Sequence, residues 1–185
     1  MNHMLKKAMI ICAFILLLII CVGCVGLTEG YKKFNIKGFE DFFSISSVQE
    51  KEEYLDSGLL DFSKKNDIFL VPFLKESSHE ECVLLLTAYS KNAKNKISLD
   101  KVTISTKDDI EISCIEEFGE LEVLSDWSET MTLIASFKKS EEWFYDENEL
   151  IVNIDATISN EESSTKAHFI YNVSIVGYKG PEFQV

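Results

Sequence analysis

Five cysteines, three histidines and 31 carboxylates are the groups in this 185-residue chain that could do chemistry. A zinc site needs three or four convergent N or S ligands. His3 stands at the start of the chain, ahead of Lys6 and Lys7, and His79 and His168 lie about ninety residues apart with no HxH or CxxC pair near either. His79-Glu80-Glu81-Cys82 is the densest cluster, and before a strand it reads as a solvated turn; His168 falls on the polar parity of the last strand. Calcium takes six to eight oxygens, in loops that alternate ligands around a glycine. Asp108-Asp109, Glu116-Glu117-Glu120 and Asp146-Glu147-Asn148-Glu149 lack the alternation, and Gly119 is the one glycine among them. There is no GxSxG elbow, Walker loop or nucleotide-binding glycine run. The residues therefore point to no metal, no cofactor and no enzymatic site.

The cysteines divide by setting. Lys6 and Lys7 precede Ala8 to Leu27, twenty residues without a charge, and Cys12, Cys21 and Cys24 fall inside that run. A basic n-region, an apolar h-region and small residues before a candidate cleavage point make a secretory signal. Cys21-Val22-Gly23-Cys24 resembles the lipobox of bacterial lipoproteins, in which the Cys after a small residue is lipidated and becomes the mature N-terminus. The resemblance makes Cys24 the lipidation site, with Cys21 standing where the family usually has Leu. Val25 after it implies, by lipoprotein sorting, the outer membrane of a Gram-negative host. An uncleaved anchor is the alternative, because about 20 apolar residues span a bilayer as a helix. Either way the lysines stay cytoplasmic and the body lies across the membrane.

That compartment is oxidising, which leaves Cys82 and Cys114 as a candidate disulfide, with two separately buried thiols as the alternative. Both lie in apolar strand patterns, the wrong setting for a low-pKa nucleophile.

Without residues 1–24 the body has 161 residues, one domain by length. Its charge is 16 − 31 = −15, since two of the 18 basic residues precede Cys24 and every one of the 18 is Lys. An acidic surface without arginine has neither the electrostatic footprint nor the bidentate fork for nucleic acid. It leaves a basic protein, a cationic peptide or a divalent cation as compatible partners, with plain solubility of a charged surface as the alternative.

Gly26 to Lys33 reads as part of a tether over residues 25–33, ahead of a domain over 34–185. Phe34, Ile36, Phe39, Phe42, Phe43 and Ile45, interrupted by Gly38, suggest a short strand or an irregular packed segment. Ser47 with Glu50 three residues on is a capping box, and predicts a surface helix from Val48 to about Asp56.

From Asp67 the period becomes two. Ile68 to Phe73 stops near Pro72 as an edge or strand end. Cys82 to Tyr89 reads as a central strand buried on both faces. Ile97 and Leu99 are out of phase with Val102 and Ile104, which places a bulge near Asp100-Lys101. Ile110, Ile112 and Cys114 share a parity, as do Met131, Leu133, Ala135 and Phe137. Leu150 to Ile158 and Ala167 to Ile175 alternate through a long antiparallel hairpin with one dry face.

Seven or eight strands, one short N-terminal helix and regular turn signals predict an all-β, antiparallel sandwich behind an apolar signal or anchor segment. It is similar to the small immunoglobulin-like domains of bacterial lipoproteins. The 32-residue Cys82–Cys114 spacing is short for the inter-sheet bridge of that fold, and no Trp lies between them. Trp143, Phe144 and Tyr145, adjacent in an acidic loop outside the alternating pattern, are the candidate partner contact; the alternative is a loop that folds these aromatics back over an open end of the sandwich. The functional expectation is a membrane-tethered, extracytoplasmic, non-enzymatic binding or scaffolding module. The alternative is a periplasmic immunity lipoprotein that neutralises a basic toxin.

Overall fold

Period-two alternation is carried into a β-sandwich of two five-stranded sheets, antiparallel except where the two-residue strand Val123–Leu124 pairs in parallel, described in a computed structural model for residues 32–78, 80–92, 94–125, 131–140 and 149–177. Lys32–Gly177 forms one compact unit. One sheet contains β1 (Lys32–Ile36), β10 (Ser164–Gly177), β9 (Glu149–Ser159), β5 (Lys96–Thr106) and β6 (Glu111–Leu121), in that order. The other runs β2 (Lys64–Lys65), β3 (Ile68–Glu76), β4 (Glu81–Tyr89) and β7 (Val123–Leu124), with β8 (Thr132–Lys138) also paired to β4. A single buried cluster takes residues from both sheets.

The β9–β10 hairpin is the backbone of the first sheet. Ile154 faces Phe169 and Val152 faces Tyr171 on the dry side, while Asp155 faces His168 on the wet side. Asn160 closes the turn: its Oδ1 accepts from the backbone N–H groups of Glu162 and Ser163, each at 2.9 Å.

β4 is central, as its continuous apolar run predicts, with β3 and β8 on its two sides. β3 does not stop at Pro72 but continues to Glu76. Proline is tolerated there because β2 covers only Ile68 and Phe69, so the rest of β3 is an edge among the described residues.

The helix predicted from the capping box is α2 (Val48–Asp56), and Ser47 Oγ accepts from the N–H of Glu50. Its buried face is Leu55 with Lys51, one turn apart, and Val48 is half exposed. Lys51 buries its stem and sets its amine 6.0 Å from the centroid of the Phe42 ring.

Other expectations are corrected. Lys32 and Lys33 are not tether but the first residues of β1, paired with Gly177 and Val176. Phe39, Phe42 and Phe43 are spaced as one helical turn rather than as an irregular run, and build α1 (Glu40–Ser44). In β8 the dry parity changes at a bulge opposite Leu84 and Leu85, so Ile134 is buried and Leu133 is exposed. In β6 the shared parity of Ile112 and Cys114 does not make one dry face. Ile115 lies opposite the buried Val102, and Cys114 opposite Thr103 on the other parity, while Ile112 packs on the core beyond a second register shift.

The rings of α1 fill the side of the sandwich between β10 and β3. Phe39 lies 5.9 Å from Phe42, 5.4 Å from Phe62 and 6.2 Å from Tyr171, centroid to centroid. Gly38 makes this possible: its φ is +90°, and a Cβ there would stand 2.9 Å from the Phe62 ring. No helix among the described residues is long and apolar enough to cross a membrane.

Candidate functional site

The bulge predicted near Asp100 exists in both pairings of β5. Leu99 faces Ala156 and Lys101 faces Asp155 on β9, while on β6 the register moves from Gly119 to Glu116 over the same step. Asp100 is the extra residue relative to β9, and an extra residue re-aims the side chains beside it. The outcome is an open cleft of about 420 Å³ lined by Ser98, Leu99, Asp100, Lys101, Glu116, Gly119 and Lys166. Gly119 sits opposite the bulge at φ +97°.

The charges of this cleft are arranged in cross-strand pairs. Asp100 accepts from Lys166 Nζ at 2.8 Å and from Thr157 Oγ1 at 2.8 Å, and Lys166 Nζ also lies 2.9 Å from Thr157 Oγ1. Lys101 pairs with Glu116 at 3.3 Å and Lys96 with Glu120 at 3.1 Å. The Lys166 hydrogen bond holds the Asp100 carboxyl below the usual carboxylate range, and the Glu116 hydrogen bond raises the Lys101 amine. Each shift favours the charged form. Such groups present fixed charge to a ligand rather than exchange protons near neutrality.

A second, smaller cleft of about 270 Å³ lies at the end of the other sheet, lined by Asp56, Lys64, Asp67, Phe69, Tyr89, Lys91 and Asn92. Lys91 hydrogen-bonds Asp56, which raises its amine, and the Lys64 amine stands 5.2 Å from the Phe69 ring centroid.

The predicted site residues are scattered. Cys82 and Cys114 are free thiols, so the candidate disulfide is absent. They stand on different sheets, Cys82 buried on β4 and Cys114 on the wet parity of β6 with its Sγ 3.9 Å from Thr103 Oγ1. Burial pushes the Cys82 thiol up to about 12. His168 is half exposed, and its Nδ1 lies 2.6 Å from Asp155 Oδ1. Cys24, His79, Trp143, Phe144 and Tyr145 lie outside the described residues. No group of three or more metal-ligating side chains occurs among the described residues.

Two arrangements carry no sequence signal of their own. One is the Asp100–Thr157–Lys166 network, whose partners are 57 and 66 residues away; only the phase slip between Leu99 and Val102 pointed at it. The other is a largely buried ion pair, Glu76–Lys139, at 2.8 Å.

No protein family matches the chain, and no characterised protein matches it in sequence. Two solved structures are similar in shape. A protein from Archaeoglobus fulgidus aligns at TM-score 0.36 and 13% identity, over 60% of this chain and 97% of that one. The beta-glucuronidase of Parabacteroides merdae aligns at TM-score 0.28 and 16% identity, over 58% of this chain and 13% of the enzyme. Likeness at this level carries neither family nor function to this chain.

Proposed function

We infer that this chain is a membrane-tethered, extracytoplasmic module that binds a basic protein and performs no catalysis of its own. The observation that carries the binding half is charge: a body of 16 − 31 = −15 with no arginine, displayed on a scaffold of long paired strands. Opposite charge speeds encounter and selects the partner, and the steering is screened over about 8 Å at physiological salt. The tether half is supported by Lys6, Lys7, the uncharged run and Val22-Gly23-Cys24. One lipidated cysteine holds a domain at a bilayer without spanning it, at roughly 0.8 kcal/mol per buried CH₂. The immunoglobulin-like character of the sandwich belongs to the same proposal, supported by the strand alternation and the two facing sheets.

Two measurements on material purified from membranes test it. Mass spectrometry of the N-terminal peptide finds a lipidated Cys24; an intact Met1 with an unmodified Cys24 shows an uncleaved anchor instead. Capture with the full chain as bait recovers a basic protein at low salt and loses most of it at high salt. Salt-independent capture, or an acidic prey, overturns the electrostatic reading.

A further inference from the structure

Seven large apolar side chains are exposed among the described residues, and three of them, Val48 (49%), Leu59 (63%) and Phe62 (44%), fall within one fifteen-residue stretch. That stretch belongs to the helical segment between β1 and β2. From Glu40 to Asp61 the segment carries Glu40, Asp41, Glu50, Glu52, Glu53, Asp56 and Asp61 against one lysine, Lys51, whose stem is buried on Phe42; Asp56 is paired with Lys91, and Lys37, Lys64 and Lys65 flank the segment. Apolar exposure and acid meet at Gly38. The Phe62 ring lies against the Gly38 Cα, and Glu40 Oε2 accepts the Gly38 N–H at 2.7 Å. Phe62 is held from beneath by an edge-on contact with the buried Phe39. Leu59 and Asp61 precede it in the adjoining turn.

Apolar side chains exposed together and rimmed by polar groups mark interaction sites. The acidic rim selects the occupant. A second copy would set like charges against one another across a self-complementary interface, and anionic lipid would be repelled for the same reason. A basic amphipathic segment satisfies both halves: aliphatic side chains cover Leu59 and Phe62, cations reach the carboxylates, and a ring face also accepts Lys or Arg. We propose that the surface formed by Gly38, Glu40, Leu59, Asp61 and Phe62 docks a basic amphipathic helix of the partner. This rests on the basic-partner reading above and gives it a place.

The test uses the full chain in nanodiscs of zwitterionic phosphatidylcholine, with protein-free nanodiscs as background. The probe is a fluorescein-labelled amphipathic helical peptide of lysine and leucine, compared with a scrambled peptide of the same composition. Fluorescence anisotropy should show salt-sensitive binding of the amphipathic peptide and weaker binding of the scrambled one. Leu59→Ser should raise Kd about fivefold or more. Ile170→Ser, which removes an equally apolar side chain 52% exposed on β10, should leave Kd unchanged. Glu40→Gln with Asp61→Asn should raise Kd and flatten its salt dependence; both side chains are exposed, and Gln keeps an acceptor for the Gly38 N–H. Wild-type binding that Leu59→Ser and Ile170→Ser weaken equally overturns the location and leaves the basic-partner reading standing. No wild-type binding at low salt overturns both. Self-association that Leu59→Ser abolishes makes the patch a contact between copies and overturns the basic helix.

Discussion

Tyr171 on β10 donates its phenolic proton across the sandwich to the backbone carbonyl of Leu70 on β3, at 2.7 Å. Ser63 Oγ donates to the same carbonyl and lies 3.0 Å from the phenol oxygen. Ser63 immediately precedes β2, whose ladder to β3 covers only Ile68 and Phe69. Two side chains thus satisfy a carbonyl that the ladder leaves open, and one of them ties the two sheets together. An unsatisfied buried carbonyl is costly, which is why such a tie is retained in a core.

Tyr171→Phe should destabilise the domain by about 0.5–1.5 kcal/mol, because Ser63 still donates to the carbonyl, read from the urea midpoint at unchanged slope. Burial raises the Tyr171 phenol above its usual 10.0, so the native state keeps a proton that the unfolded chain releases. That contribution is complete below pH 10 and is lost as pH rises from there toward the folded value. In an ultraviolet phenolate titration of the native protein, Tyr171→Phe should leave the amplitude near pH 10 unchanged. A smaller amplitude would mean that Tyr171 titrates in the folded state.

Ile154→Asp should destabilise by about 4 kcal/mol or more, because it sets an unpaired charge opposite Phe169 on the dry face. Asp155→Ile, one residue along on the wet face, gives up only an exposed pair with His168, worth about 0–1 kcal/mol. Equal shifts in Tm would show the register to be wrong.

Glu76 and Lys139 keep 15% and 7% of their side-chain surface. Removing one partner of such a pair weakens the compensation of the other's charge: Lys139→Met should cost about 1–3 kcal/mol. Glu76→Gln with Lys139→Met should recover part of that loss. A double variant no better than the single one would show that the two groups do not act as a pair.

Cys82 is fully buried, with its thiol pushed up to about 12. Iodoacetamide at pH 8, followed by peptide mapping, should leave Cys82 unmodified in the native protein and modify it in urea. Cys114, partly exposed on the wet side of β6, should react without denaturant. Native labelling of Cys82 would require an opening of the β3–β4 end of the sheet.

Whatever depends on the local period was legible in the sequence. Ser47 and Glu50 marked the start of α2, because a cap is satisfied within four residues. The alternation from Leu150 to Ile175 set the hairpin and its dry face, because successive side chains of a strand point to opposite sides. The slip between Leu99 and Val102 marked the bulge at Asp100 for the same reason. The tertiary structure decided what depends on partners distant in sequence. Leu133 and Ile134 exchanged faces because β8 pairs with β4 through a bulge. Cys114 turned to the wet side because its strand neighbour is Thr103. Lys51 took the place beside Leu55 because the Phe42 ring gave its stem an apolar surface. The Asp100–Lys166 pair and the Tyr171–Leu70 tie join residues 66 and 101 positions apart, and no local pattern encodes such a meeting. Periodicity assigns a side chain to a face, and only packing decides what that face meets.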